Sequence, residues 1–128
     1  MNIQAVLDAS ALLAFLQDES GSKKVDNVLE QACISSVNWS EVVKKAIAAG
    51  VDPEGSRQEL EALGLLIYDF TAEQAETAGR LWEQTKTHGL SLGDRACLSL
   101  GITLGIPVWS TDKVWKKLKL PVKINVIR

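Results

Sequence analysis

Four acidic residues have the types and spacing that could build a site for a divalent cation. They are Asp8, Glu41, Asp94 and Asp112. Two carboxylates about 4 Å apart repel by about 4 kcal/mol at an effective dielectric constant of about 20, so several such pairs would rival the stability of a whole domain. Mg²⁺ or Mn²⁺ relieves this repulsion, prefers oxygen ligands and leaves room for a phosphate. The chemistry indicated is hydrolysis of a phosphodiester, in which the ion generates hydroxide from water.

The same acids also have an interpretation as helix caps. The segments 38–41 and 91–94 have the spacing of a capping box, and Asp8 and Asp112 can act as N-caps. One cap contributes roughly 0.5 to 2 kcal/mol, so local structure alone would explain any single acid. Only their convergence in one place would favour a metal site.

Short apolar runs alternate with helical patterns along the whole chain. We expect Pro53 in the first turn of its helix, and Thr71 with Gln74 to cap the following one. Strands are predicted at 3–7, 32–35, 65–70, 107–110 and 122–127, and helices at 10–16, 22–31, 39–50, 53–63, 71–89, 91–105 and 112–118.

Strands that are joined through helices pair in parallel, which makes the predicted fold class α/β. We expect three layers, with a mainly parallel sheet of four to five strands flanked by helices. Ligands of such sheets bind beyond the carboxyl ends of the strands. Asp8 and Asp112 directly follow two predicted strands, so the fold places them where a ligand would bind.

Length and composition fit one domain covering residues 1–128. The chain is 46% hydrophobic and 23% charged, which excludes a disordered chain. Its longest apolar stretch, 11–16, is far short of the roughly 20 residues that span a membrane, and the N-terminus lacks the basic start of a secretory signal. We therefore expect a cytoplasmic protein without a membrane span.

Cys33 and Cys97 have no spacing typical of disulfides or zinc sites, which predicts reduced core residues.

The charges are unevenly distributed along the chain. The net charge is −2, yet residues 113–128 hold six basic residues and no acidic one, while residues 1–112 hold eight basic and 16 acidic residues, a charge of −8. We expect Lys113, Lys116 and Lys117 to share a helix face that guides a polyanion to the acidic site. The alternatives are a solvated helix face, or a path along Lys44, Lys45 and Arg95. For Arg95, beside Asp94, a surface ion pair is equally expected.

Other classes of phosphate-handling protein lack their signatures here. A receiver-like phosphoacceptor needs an acidic pair where Leu7 precedes Asp8, and a haloacid-dehalogenase-like phosphatase needs a second acid where Ser10 stands. The sequence has no glycine-rich phosphate loop. His88, the only histidine, is expected at the surface near a helix end, so no histidine mechanism competes. Core or interface packing, rather than base stacking, is expected for Trp39, Trp82, Trp109 and Trp115.

Four short segments, in this order and spacing, carry a family resemblance. They are Val-Leu-Asp-Ala-Ser-Ala-Leu at 6–12, Ser-Val-Asn-Trp-Ser-Glu-Val at 36–42, Leu-Ser-Leu-Gly-Asp-Arg-Ala-Cys-Leu at 90–98 and Ser-Thr-Asp-Lys-Val-Trp at 110–115. Together they resemble the PIN-domain nucleases, and among these the VapC-type toxins of toxin–antitoxin pairs. The resemblance implies an Mg²⁺- or Mn²⁺-dependent endoribonuclease that acts on RNA, forms a homodimer and binds an antitoxin tightly.

The resemblance also maps the catalytic acids onto Asp8, Glu41, Asp94 and Asp112. Asp8 and Asp94 are expected to contact the metal directly, and Asp112 directly or through water. The longer Glu41 orients the attacking water or holds a second ion. Toxins of this type often have Thr two residues before the last acid, and Ser110 followed by Thr111 leaves open which hydroxyl serves here.

Two further expectations concern partners and catalytic competence. Apolar residues of the helices at 22–31 and 39–50 are expected to form a groove for an antitoxin helix. The alternative to an enzyme is a PIN-like scaffold that has lost catalysis and only binds RNA or protein. Retention of all four acids argues against that alternative.

Overall fold

A five-stranded parallel sheet forms the centre of the molecule. The computed structural model describes residues 2–128, and its strands are β1 (Ala5–Leu7), β2 (Ala32–Ser35), β3 (Leu66–Tyr68), β4 (Val108–Ser110) and β5 (Ile124–Val126). Their order is β3-β2-β1-β4-β5, and every neighbouring pair is parallel. The predicted α/β fold class is confirmed, and the sheet has five strands where four to five were predicted.

Helices cover both faces of this sheet. Within residues 2–128 the α-helices are α1 (Ala9–Leu16), α2 (Ser22–Val28), α3 (Ser36–Ala48), α4 (Ser56–Ala62), α5 (Ala72–Arg80), α6 (Trp82–Thr85) and α7 (Leu92–Leu104), and the 3-10 helices cover Leu29–Gln31, Lys86–His88 and Lys113–Lys117. Successive side chains of β1 point to opposite faces, so Leu7 packs with α1 to α4 whereas Val6 packs with α7. The result is a three-layer structure.

The central position of β1 determines where the candidate site lies. Leu7 pairs with Ile34 of β2 and with Trp109 of β4, so the three strands end at the same edge of the sheet. The next residue, Asp8, donates its backbone N–H to the Trp109 carbonyl at 3.0 Å. Its side chain therefore starts from the most enclosed point of that edge.

The segment before α4 differs from the sequence prediction. Pro53 was expected in the first helical turn, but α4 begins at Ser56. The Asp52 carboxylate accepts a hydrogen bond from the Glu54 N–H at 3.0 Å, and the Pro53 carbonyl accepts one from Ser56 N–H at 3.0 Å. These bonds close a turn around the proline, because a short acidic side chain competes with helical backbone bonding.

The helix predicted over 71–89 is also broken in the structure. Leu81, with ψ near −13°, departs from helical geometry of about −42° and separates α5 from α6. The break buries Leu81 and leaves Trp82 50% exposed, with the Lys86 ammonium 4.7 Å from its ring centre. Trp82 is therefore not part of the core, and its expected role at an interface stays a prediction. Trp115 is fully buried, and Trp39 and Trp109 are partly buried against the core.

Two smaller expectations concern the cysteines and the membrane. Cys33 and Cys97 are both buried and unpaired, which confirms them as reduced core residues. Within residues 2–128, no helix is both long enough and apolar enough to span a bilayer.

Candidate active site

A cavity of about 140 Å³ lies beyond the carboxyl ends of the central strands. All four acids predicted from the sequence line it: Asp8, Glu41, Asp94 and Asp112. They come from four separate places, namely the end of β1, the second turn of α3, the first turn of α7 and the loop after β4. The remaining lining residues are Ala9, Ser10, Asn38 and Lys45.

Asp8 is the most enclosed of the four acids. Its Oδ1 accepts hydrogen bonds from the Ser10 hydroxyl at 2.7 Å and the Ala11 N–H at 2.8 Å, so it is the N-cap of α1. Burial raises the pKa of this carboxyl from an ordinary 3.8 to about 6, against the opposing hydrogen bonds of Ser110, Ser10 and Ala11, and the charge of Asp94 adds to the rise. The hydrogen bonds therefore stabilise the ionised form of Asp8 less than burial destabilises it.

Asp94 is held in a capping box at the start of α7. Its N–H donates to the Ser91 hydroxyl at 3.2 Å, and its Oδ2 accepts the Ser91 N–H at 2.9 Å. The predicted capping box at 91–94 is confirmed. The same bonds fix the carboxylate beside the cavity.

Glu41 is held by Asn38, and not in a capping box. The N-cap of α3 is Ser35, so Asn38 lies inside the helix and the capping box predicted at 38–41 is wrong. The buried Asn38 amide donates to Glu41 Oε1 at 2.8 Å and to the Gly93 carbonyl at 3.0 Å. A Cβ at Gly93 would lie 2.5 Å from Glu41 Oε1, so any larger residue here would displace this carboxylate.

Asp112 and its neighbouring hydroxyls connect β4 to α1. Asp112 Oδ1 accepts the Val114 N–H at 3.0 Å and caps the last 3-10 helix. The buried Ser110 hydroxyl accepts the Asp112 N–H at 3.0 Å, and the Ser10 hydroxyl accepts the Thr111 N–H at 3.0 Å. Of Ser110 and Thr111, it is therefore the Ser110 side chain that bonds within the site, whereas Thr111 takes part through its backbone N–H.

Capping and ligand binding are compatible at this site. Asp8, Asp94 and Asp112 are caps, as the local interpretation predicted, but a cap uses one side-chain oxygen. Within residues 2–128, no hydrogen bond reaches the second oxygen of Glu41, Asp94 or Asp112. Capping therefore orients these carboxylates and leaves an oxygen of each available.

The donor set fits a hard cation that keeps much of its water. The cavity wall offers carboxylate, amide and hydroxyl oxygens, and no histidine or cysteine of the described chain lines it. Mg²⁺ prefers such oxygens and is usually bound by one or two carboxylates plus water. In the part of the chain that the structure describes, no three acids lie close enough to enclose an ion by themselves. That spacing suits partial coordination, since uncompensated carboxylates repel.

The basic residues predicted to bind nucleic acid lie outside this cavity. Lys113, Lys116 and Lys117 are exposed on the 3-10 helix after Asp112. A 3-10 helix has three residues per turn, so Lys113 and Lys116 align whereas Lys117 points about a third of a turn away. The prediction of one shared face is therefore wrong for Lys117.

Arg95 points away from the acids. Its guanidinium donates to the Ala78 carbonyl of α5 at 3.0 Å, and it is not among the residues that line the cavity. No ion pair joins it to Asp94 among the described residues. The geometry supports neither predicted role, phosphate contact or surface ion pair.

Sequence reasoning did not place Asn38 or Lys45 in the site. The sequence pattern assigns Lys45 only to an alternative RNA path, and Asn38 only to a helix cap. Both lie three or four residues from Glu41, on the same face of α3. Helical spacing from a candidate catalytic acid was therefore the signal that could have found them.

The comparisons with known proteins agree with this architecture. The family model for the PIN domain matches residues 5–120, so the chain belongs to the PIN domain family and the resemblance seen in the sequence is confirmed. No curated protein matches the sequence.

Several solved structures share the fold. A toxin–antitoxin complex from Klebsiella pneumoniae has a TM-score of 0.70 at 19% identity, covering 94% of this chain and 100% of that one. DNA-bound VapBC from Salmonella typhimurium has a TM-score of 0.71 at 15% identity, covering 96% and 97%. VapC20 from Mycobacterium tuberculosis, described as a toxin that cleaves the sarcin-ricin loop, has a TM-score of 0.63 at 12% identity, covering 94% and 99%.

The first prediction concerns the Asp8 carboxyl in metal-free protein. The folded pKa of about 6 lies above the ordinary 3.8, so stability falls as the pH rises from about 4 to about 6. The difference corresponds to about 3 kcal/mol. Asp8→Asn removes the charge, and we expect it to stabilise the protein by roughly 2 to 3 kcal/mol near pH 7 and much less near pH 4.

Urea unfolding in chelator at both pH values measures this effect. Asp112→Asn, at an exposed N-cap, is the control and should give no such gain. An Asp8→Asn effect of equal size at both pH values would contradict the prediction.

Proposed function

We propose that this protein is a divalent-metal-dependent endoribonuclease and the toxin of a type II toxin–antitoxin pair. The observation that carries the proposal is that acids from four separate chain segments line one cavity at the carboxyl edge of the sheet. Membership of the PIN domain family and the fold shared with toxin–antitoxin structures add support.

The acids have distinct parts in the proposed reaction. Asp8 and Asp94 would bind Mg²⁺ or Mn²⁺ directly and Asp112 would reach it through water, and the bound ion would supply a water-derived nucleophile and stabilise charge on the phosphate. The free oxygen of Glu41 orients the attacking water and accepts its proton. The hydroxyls of Ser10 and Ser110 keep Asp8 in position. Because the pKa of Asp8 is raised to about 6, this carboxyl is mostly ionised only above that pH, and there it would be ready to act as a metal ligand without losing a proton.

The competing scaffold function explains the cavity less well. A protein that only binds RNA or another protein gains nothing from a carboxyl that is 5% exposed and only partly stabilised. Residues kept at an energetic cost are typical of functional sites. We place the protein in the cytoplasm, where RNA and a reducing environment suited to Cys33 and Cys97 occur together.

The proposed homodimer draws on exposed apolar side chains away from the cavity. Trp82 on α6 is 50% exposed and Leu92 at the start of α7 is 54% exposed. Large exposed apolar residues are typical of protein interfaces. A second copy of the chain covering them would give both residues a packing role.

An apolar groove supports the antitoxin as a partner. It has a volume of about 220 Å³ and lies between α1, α3 and the loop after α3, lined among others by Leu16, Val43, Ala46 and Val51. The groove expected from the sequence is only partly right, because α2 residues such as Val25 are buried in the core. An amphipathic antitoxin helix would bury its apolar face here.

The second prediction tests the catalytic proposal. Wild-type protein should cleave cellular RNA with Mg²⁺ or Mn²⁺ and not in chelator, and Asp94→Asn should lower cleavage by at least roughly 100-fold because a metal ligand is lost. In chelator the variant should stay folded and gain roughly 1 kcal/mol as repulsion falls. Asp69→Asn is the control, since this exposed acid follows β3 at the same sheet edge outside the cavity.

Either of two results would count against this function. One is cleavage by Asp94→Asn at the wild-type rate, which would reduce Asp94 to a helix cap. The other is metal-independent RNA binding without cleavage, which would favour the scaffold.

The third prediction tests the groove. Ala46→Arg should weaken antitoxin binding at least roughly 100-fold, because it puts a charge where an apolar surface would be buried, and RNA cleavage should persist. Ala48→Arg, on the exposed face of the same helix, should bind normally. Binding is measured by titration calorimetry with the product of the neighbouring antitoxin gene. Equal affinities for both variants would exclude this groove.

The fourth prediction concerns the 3-10 helix. Exposed lysines on one face should bind phosphates, so Lys113→Gln with Lys116→Gln should weaken RNA binding for all sequences and flatten its salt dependence by roughly 0.7 per lost contact. Lys23→Gln with Lys24→Gln on α2 is the control pair. Binding is followed in the cleavage-deficient Asp8→Asn protein at several salt concentrations. If the salt dependence of RNA binding did not change, these lysines would only form a solvated face and would not contact RNA.

A further inference from the structure

One basic side chain lies among the acids of the cavity. Lys45 is on α3, one turn after Glu41, and lines the same cavity as the four carboxylates. No other Lys or Arg of the described chain is part of that wall. Lys44, its neighbour on the helix, is also exposed but lies outside the cavity. Lys44 is therefore a matched control for Lys45.

The Lys45 ammonium is not used to neutralise a particular acid. Ion pairs with an N–O distance up to 4.0 Å occur in the described chain at Arg57, Lys86 and Arg128, and none involves Lys45. A lysine kept for stability beside Glu41, at the favourable spacing of four residues, would be expected to pair with it. Its charge is thus available to an incoming anion.

The proposed substrate presents such an anion. A phosphodiester must enter a wall that carries four carboxylates, and a bound divalent ion offsets only two of those charges. An ammonium on a long flexible side chain binds phosphate oxygens as a point charge and can follow the phosphate as it enters. Lys45 is the residue of the wall that can do this.

We propose that Lys45 binds a non-bridging oxygen of the phosphate that enters the cavity and so positions the RNA backbone against the acids. This inference rests on the proposed ribonuclease function. It separates two groups of lysines: Lys113 and Lys116 attract RNA from outside the cavity, whereas Lys45 contacts the phosphate inside it. Lys45 is a substrate-binding residue in this scheme and not a metal ligand.

The test compares Lys45→Gln with Lys44→Gln, and adds Lys45→Arg as the conservative variant. Binding of a fluorescent single-stranded RNA is measured by anisotropy in the Asp8→Asn background with Mg²⁺, at several salt concentrations. We expect Lys45→Gln to weaken binding roughly tenfold and to flatten the salt slope by roughly 0.7, as for one lost phosphate contact. Lys44→Gln should change affinity less than about twofold, and Lys45→Arg should retain most of it.

A second readout separates substrate binding from metal binding. Metal-induced thermal stabilisation of otherwise wild-type protein should be as large in Lys45→Gln as in Lys44→Gln, because no metal ligand is lost. Equal RNA affinities and salt slopes for the two glutamine variants would overturn the role of Lys45 alone. A loss confined to stability in chelator would also overturn it and assign Lys45 to neutralising the acids. If protein with both lysines intact bound no RNA, the proposed function itself would fall, and this inference with it.

Discussion

Burial of the Asp8 carboxyl at the end of the central strand is the constraint on which the site depends. The residue is 5% exposed, and removal from water raises its pKa to about 6 despite hydrogen bonds from Ser10, Ser110 and Ala11. No ion pair within residues 2–128 compensates this carboxylate. Ionising the buried Asp8 carboxyl therefore costs free energy, which a bound cation can offset.

Close approach of α7 to α3 and the sheet brings Glu41 and Asp94 to Asp8. A Cβ at Gly101 would clash with the Val108 side chain of β4, so glycine lets α7 lie directly against the sheet. Gly93 likewise has no side chain that would collide with the Glu41 carboxylate. Asn38 then joins the two helices, with one amide proton on each. The close contacts at these glycines and the two Asn38 hydrogen bonds therefore hold the acids of α3 and α7 near each other.

Local signals predicted the parts of this structure that local interactions determine. The strand at 32–35 is found where its short apolar run predicts it, and the capping box at 91–94 depends on neighbouring residues and appears as expected. The start of α3 does not, because Ser35, Ser36 and Asn38 all suit an N-cap and the end of β2 selects Ser35. Arg95 likewise turned to the Ala78 carbonyl, a partner 17 residues away that no local pattern shows.

If the proposed function holds, the charge balance of the cavity explains why the basic segment would matter to an otherwise acidic protein. Four ionised carboxylates, one divalent ion and the Lys45 ammonium would still leave a single negative charge around an entering phosphate. Attraction must therefore come from outside the cavity, and residues 113–128 carry six basic residues and no acid. Screening limits such attraction to about 10 Å at 0.1 M salt. The lysines that directly follow Asp112 lie close enough to the cavity for this attraction, because Asp112 both caps their helix and lines the cavity.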